Sequence, residues 1–141
     1  MVSDCSHNLI PSIARSRFGK QDVEVVEKNL ILRFQNESLP YLNNGNQHIP
    51  RNQLEIMAIA QHHGLPTRLL DWSRSPLVAL FFATRDFYKN DIDGAVYVYS
   101  APNVELITST VEDLPNEVKF FMPPHQTARI KAQFGLFSVH P

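Results

Sequence analysis

The residues able to do chemistry crowd into one stretch: Gln61-His62-His63-Gly64-Leu65-Pro66-Thr67-Arg68-Leu69-Leu70-Asp71-Trp72-Ser73-Arg74-Ser75-Pro76 holds two His, two Arg, an Asp, a Thr, two Ser and the chain's only Trp. Arg and Asp are rarely buried unless paired, so polar groups this dense between apolar segments imply an internal hydrogen-bond network or a lined cleft. Arg68 and Asp71 are near enough in sequence, with Thr67, for a charge-assisted pair. That pair is either a structural ion pair or leaves Arg68 to anchor a pyrophosphate or other substrate. Ser73 and Ser75 stand at the mouth of a helix opened by Pro76, where free N–H groups and the helix dipole favour an anion such as a ligand phosphate. Ser75 already has a role as N-cap; Ser73 has none and is the stronger candidate. Trp72 is either core or an aromatic wall for a planar ring. His62 and His63 either favour the dipole at the end of their helix or include a ligand-contacting or proton-transferring group. Adjacent His side chains point in different directions on a helix and no third ligand has matching spacing, so no metal site is expected.

Helices must flank this stretch. Val23, Val26, Leu30 and Phe34 step by three, four and four, which predicts an amphipathic helix from Asp22 to about Asn36, with Glu24 and Glu27 near its start suiting the dipole. Pro40 to Arg51, with Asn43-Asn44-Gly45-Asn46 at its centre, has the composition of a surface loop. Asn52 with Glu55 three residues later resembles a capping box, and Leu54, Met57, Ala58 and Gln61 continue at helical spacing until Gly64 and Pro66. Ser75-Pro76 opens the next helix, through Leu77, Val78, Leu80, Phe81 and Phe82 to about Asp86, with its large apolar residues expected in the core.

Strands follow. Asp93-Gly94 turns into Ala95-Val96-Tyr97-Val98-Tyr99, which reads as a buried strand; further strands are expected at Val104 to Thr108, Val118 to Met122 and Leu136 to His140. A short helix from Ala128 to Gln133 is expected to end at Gly135, with Arg129 and Gln133 on one face, either as surface or as a site wall. Helices in the N-terminal half packed on short, mostly antiparallel strands in the C-terminal half make an α+β fold.

The 141 residues, 43% hydrophobic and 19% charged, suit one domain spanning 1–141. Thirteen Lys and Arg against fourteen Asp and Glu leave a net charge of −1, so no cationic field draws nucleic acid or anionic lipid. The lone Cys5 excludes an intrachain disulfide and a multi-Cys zinc site, and the first residues lack a basic and an apolar signal region. A reducing cytoplasmic setting, with no membrane, is the expectation. Five Gly and ten Pro contain neither a Walker nor a dinucleotide fingerprint.

The run from Gln61 to Ala83 resembles the signature of the FRG-domain family, a Gln-His-(Tyr/His)-Gly-Leu-Pro-Thr-Arg-Leu-Leu-Asp-Trp-(Ser/Thr) core followed by Ser-Pro and an Ala-Leu-Phe-Phe-Ala-like helix. Weaker similarity reaches Leu9-Ile10-Pro11-Ser12 with Arg15, the strand Gly94 to Tyr99, and Arg129-Ile130, Gln133, Gly135 and Phe137. The Phe-Arg-Gly triplet that names the family normally stands just before the Leu-Ile-Pro-Ser segment, and the sequence does not contain it; Ile31-Leu32-Arg33-Phe34 is no substitute, lying later and inside a helix. The resemblance thus implies an N-terminally shortened member, a fragment, or a gene whose start has moved.

A looser similarity links a strand feeding Ser-x-Ser-Pro and a helix to the middle motif of ADP-ribosyltransferases. It implies an NAD cleft shaped by Ser73 and Ser75, with Gln133 at the late acidic position; Gln133 can orient a ribose hydroxyl but cannot be a carboxylate base. On this reading Arg68, Asp71 and Gln133 are the catalytic candidates and His62, His63, Thr67, Trp72, Ser73 and Ser75 the ligand contacts. NAD is the candidate substrate, and a small anionic ligand or nucleotide the expected partner, with a protein partner the other option. If active, the reaction is glycosyl transfer from NAD. The alternatives are a non-catalytic binding or regulatory module, in which the polar signature is a folding network, and a nuclease-like toxin using His62 or His63 with Arg68.

Overall fold

The computed structural model describes residues 2–4, 8–15, 22–42, 50–85, 93–100, 106–107, 114–123 and 133–141. In chain order the elements are β1 (Val2–Asp4), α1 (Ser12–Arg15), α2 (Val23–Leu42), α3 (Gln53–His62), β2 (Leu69–Ser73), α4 (Pro76–Thr84), β3 (Gly94–Val96), β4 (Leu106–Ile107), β5 (Lys119–Phe121) and β6 (Gly135–Val139). The fold is α+β, with a four-stranded sheet in the order β2-β6-β5-β4 and a two-stranded ribbon β1-β3. All pairings are antiparallel except β4 with β5.

Helix α3, which leads into the signature, begins and ends as its sequence dictates. Asn52 caps α3 by accepting from the Glu55 N–H at 2.9 Å, while Glu55 accepts from the Arg51 N–H at 2.9 Å. At the other end the Leu65 N–H donates to Ala60 O and the Gly64 N–H to Gln61 O, with Gly64 at φ 91: a Schellman turn that needs glycine for its backbone angle. α2 departs from expectation at both face and length. It runs through Pro40 to Leu42, where the missing N–H of a proline in the last turn removes only one helical bond. Its buried positions are Glu27 and Ile31, whereas Val23 is exposed. The helix has rotated its inward stripe to bring a carboxylate inside.

One face of the sheet carries Leu69, Phe121, Phe137 and Val139, which pack with Ile31 of α2 and Leu54, Met57, Ala58 and Ala60 of α3 as the core. The other face carries Trp72, Phe120 and Ser138, since side chains alternate along each strand and Phe120 stands opposite Ser138.

Two apolar segments expected inside lie outside. In α4, Leu77, Leu80 and Phe81 are exposed and only Ala79 is buried. This helix turns its small residues to the ribbon: a Cβ placed on Gly94 would lie 2.5 Å from the Ala83 carbonyl oxygen, so only glycine admits that approach. The 94–99 run forms strand only to Val96 and among the described residues pairs with β1 alone, and Val98, beyond the strand, is 86% exposed. Near the C-terminus Gln133 and Phe134 form a turn, and Gly135 begins β6. The left-handed residue is Phe134 at φ 48. The rest of the expected 128–133 helix, with Arg129 and Ile130, lies outside the described residues, as do Cys5 and residues 43–49 of the expected loop.

Candidate functional site

The signature is first of all a network that ties four elements to β2. Thr67 is fully buried. Its N–H donates to Ser12 Oγ at 3.0 Å, and its carbonyl accepts from the Ile13 N–H at 3.2 Å, which fastens α1. Its hydroxyl donates to Gln61 Oε1 of α3 and accepts from the Leu69 N–H at 3.2 Å. Gln61 in turn donates through Nε2 to Asp71 Oδ2 at 2.6 Å. Every polar group of Thr67 is thus engaged inside the protein, while Asp71 keeps an exposed position at the end of the core face.

Arg68 does not pair with Asp71. Its main-chain N–H donates to Glu27 Oε1 at 2.6 Å and its Nε to Glu27 Oε2 at 2.5 Å, with 11% of the Arg68 side chain and 3% of the Glu27 side chain exposed. A carboxylate so deeply buried requires this two-pronged partner, since an unpaired charge there would cost several kcal/mol, on the order of the desolvation penalty. Glu27 was hidden in the sequence because a Glu in the first turns of a helix reads as a dipole partner. The available signal was its spacing, four residues before Ile31, inside the apolar stripe.

Ser73 and Ser75 shape the β2–α4 turn. Ser73 Oγ donates to Gln133 O at 2.7 Å and accepts from the Ser75 N–H at 3.1 Å; Ser75 Oγ accepts from the Val78 N–H at 3.4 Å as N-cap. Ser73 therefore has a structural role that spacing did not reveal: it joins the start of α4 to the turn before β6, beside the Arg74 N–H bond to Phe134 O. Gln133 meets the signature through its main-chain oxygen. His62 and His63 are exposed at the end of α3, their rings edge-on at 5.4 Å, with His63 6.1 Å from Phe34. Among the described residues no three His, Cys, Asp or Glu side chains are grouped to hold a metal ion.

Trp72 stands apart from this network, on the opposite face of the sheet. Its ring lies 6.1 Å from Phe120 and 6.2 Å from Tyr99, and Tyr99 and Phe120 are 5.1 Å apart. Phe120 is buried, Trp72 half-buried, and Tyr99 57% exposed. Beneath them Trp72 Nε1–H donates to Ser138 Oγ at 2.8 Å, and Ser138 Oγ lies 3.0 Å from His140 Nε2. Burial holds His140 below the usual imidazole pKa. The result is an aromatic platform, open on the Tyr99 side and braced by polar groups from below.

A family model, the FRG domain, matches residues 2–92. The chain belongs to the FRG-domain family. No curated protein and no solved structure matches it. In this FRG domain the family's polar core divides by the alternation of β2. Leu69 and Asp71 face the helices, and Trp72 faces away with Phe120 and Ser138. Sequence reasoning did not single out Ser12, Glu27, Tyr99, Phe120, Ser138 or His140. For the last two the signal was the period-two spacing of a terminal strand that ends Ser138-Val139-His140. For Tyr99 there was none, because its contacts depend on where the 97–100 segment crosses the sheet.

Proposed function

We propose that this FRG domain is a binding module for a nucleotide-type ligand, with NAD as the first candidate, received on the Trp72–Tyr99 platform. The observation that carries the reading is that Trp72 lies half-buried outside the core, in ring contact with the exposed Tyr99. An aromatic pair with one accessible member suits stacking of a planar heterocycle. The nine-residue helix α4 starts four residues beyond Trp72. Its dipole favours negative charge near its first turn, as a ligand phosphate would supply.

Binding is better supported than turnover. Arg68, the candidate pyrophosphate anchor, is held by both oxygens of Glu27, and Gln133 offers no carboxylate to act as a base. ADP-ribosyltransferase-like glycosyl transfer from NAD is the more demanding form of the same proposal.

Calorimetric titration with NAD is the test. Saturable binding is expected, with Trp72→Ala weakening it about tenfold, the order of one lost base–aromatic stack. Absence of heat at millimolar NAD, with no nicotinamide released, overturns the reading. Nicotinamide release that is lost with Asp71→Ala would establish cleavage of the glycosidic bond, and ADP-ribose found attached to an acceptor other than water would establish transfer.

A further inference from the structure

We propose that His140 senses protons for the aromatic face, its protonation moving Trp72 through Ser138 and so altering the ring on which a ligand would stack; the ligand part rests on the function proposed above, the relay does not. Ser138 is buried, 1% exposed, and its hydroxyl has two neighbours, Trp72 Nε1 at 2.8 Å and His140 Nε2 at 3.0 Å. An indole N–H can only donate, so Ser138 accepts from Trp72. The hydroxyl's own proton then goes to His140 Nε2, which must be the unprotonated nitrogen of a neutral ring. No other acceptor for it is present among the described residues.

Protonation of His140 reverses the second bond. Nε2 becomes a donor aimed at Ser138 Oγ, and the serine proton, buried and without an acceptor, must turn away. Both bonds share one oxygen, so the disturbance passes to Trp72 over a single atom.

Among the described residues, the charged groups on the strands beside His140 are paired. From β2, the Arg68 carbonyl accepts the His140 N–H at 3.2 Å, and the Arg68 guanidinium is held by Glu27 of α2. From β5, Lys119 stands opposite Val139 and pairs with Glu117 at 2.8 Å. The Tyr99 phenol ring packs on Trp72 and Phe120. The chain neighbours Val139 and Pro141 carry no side-chain charge. Burial therefore dominates, and protonation falls below the ordinary imidazole value. The unfolded chain takes up this proton first, as pH drops through about 6.5, so acid disfavours the native arrangement in the same window.

Trp72 is the only tryptophan, so its emission reports on the relay without any ligand. Emission of the whole chain, followed from about pH 8 to about pH 5, should shift in a one-proton transition with its midpoint below the usual imidazole pKa. The transition should vanish in His140→Gln. In Ser138→Ala it should be lost although the His140 ring still titrates by NMR. A flat wild-type titration, or an unchanged transition in His140→Gln, overturns the relay. Should a variant fail to fold, wild-type NMR decides: the indole N–H resonance must move with the His140 midpoint, and an indole signal that does not follow it rejects the proposal. NAD binding with flat emission removes the relay alone, whereas a pH-dependent emission with no NAD binding retains it and removes the ligand.

Discussion

A carboxylate at position 27 could be buried only if something met both of its oxygens, and Arg68 does so with its backbone and its side chain. Removing one partner of such a pair leaves a charge inside the protein without compensation. Glu27→Ala should cost about 3 kcal/mol, lowering the melting temperature by roughly 10 °C for a domain of this size. Asp71→Ala should cost only about 1 kcal/mol, because Asp71 is exposed and its loss releases a bond from Gln61. Thermal melts of the two variants check the contrast, and equal melting temperatures would contradict it. The signature showed that Arg68 needs a partner; it pointed to Asp71, three residues away, because a partner forty-one residues earlier leaves no mark within the motif.

Elements with local causes were legible in the sequence, and those set by distant packing were not. The caps of α3 and α4 and the glycine stop after α3 follow from neighbouring residues and stand as expected. The inward face of α2 and the exposure of α4 depend on what lies opposite, which periodicity cannot show. Two glycines separate these causes. Gly64 sits at φ 91 with nothing within 4 Å of an added Cβ, so Gly64→Ala should cost about 1 kcal/mol from backbone conformation alone. At Gly94 an added Cβ would strike the Ala83 carbonyl at 2.5 Å, so Gly94→Ala must push β3 off α4 and should cost more than Gly64→Ala. Urea unfolding of both variants measures the order, and the reverse order would refute the close ribbon–helix contact.

At the scale of the whole molecule, one core lies between the sheet and helices α2 and α3, while the ribbon and α4 add little to it. Leu80→Gln and Phe81→Gln should accordingly change stability by no more than about 0.5 kcal/mol each. A large loss in denaturant titration would show that these side chains are covered. The candidate site divides along the same lines. Its signature half was readable because the residues are contiguous. The platform half was not, because Trp72, Phe120 and Ser138 are assembled only by the pairing of β6 with β2 and β5, and Tyr99 joins them from a segment outside those strands.

That pairing also bears on how the protein comes into being. The family match ends at residue 92, yet the strand partner of β2 among the described residues begins at Gly135. During synthesis the signature strand leaves the ribosome well before the strand that completes it. Non-local strand pairing of this kind is slow and exposes unpaired backbone while it waits. Strand β2, inside the most recognisable part of the sequence, is therefore among the last elements to complete its backbone pairing, and a fragment cut at the family boundary would carry the signature without its strand partner.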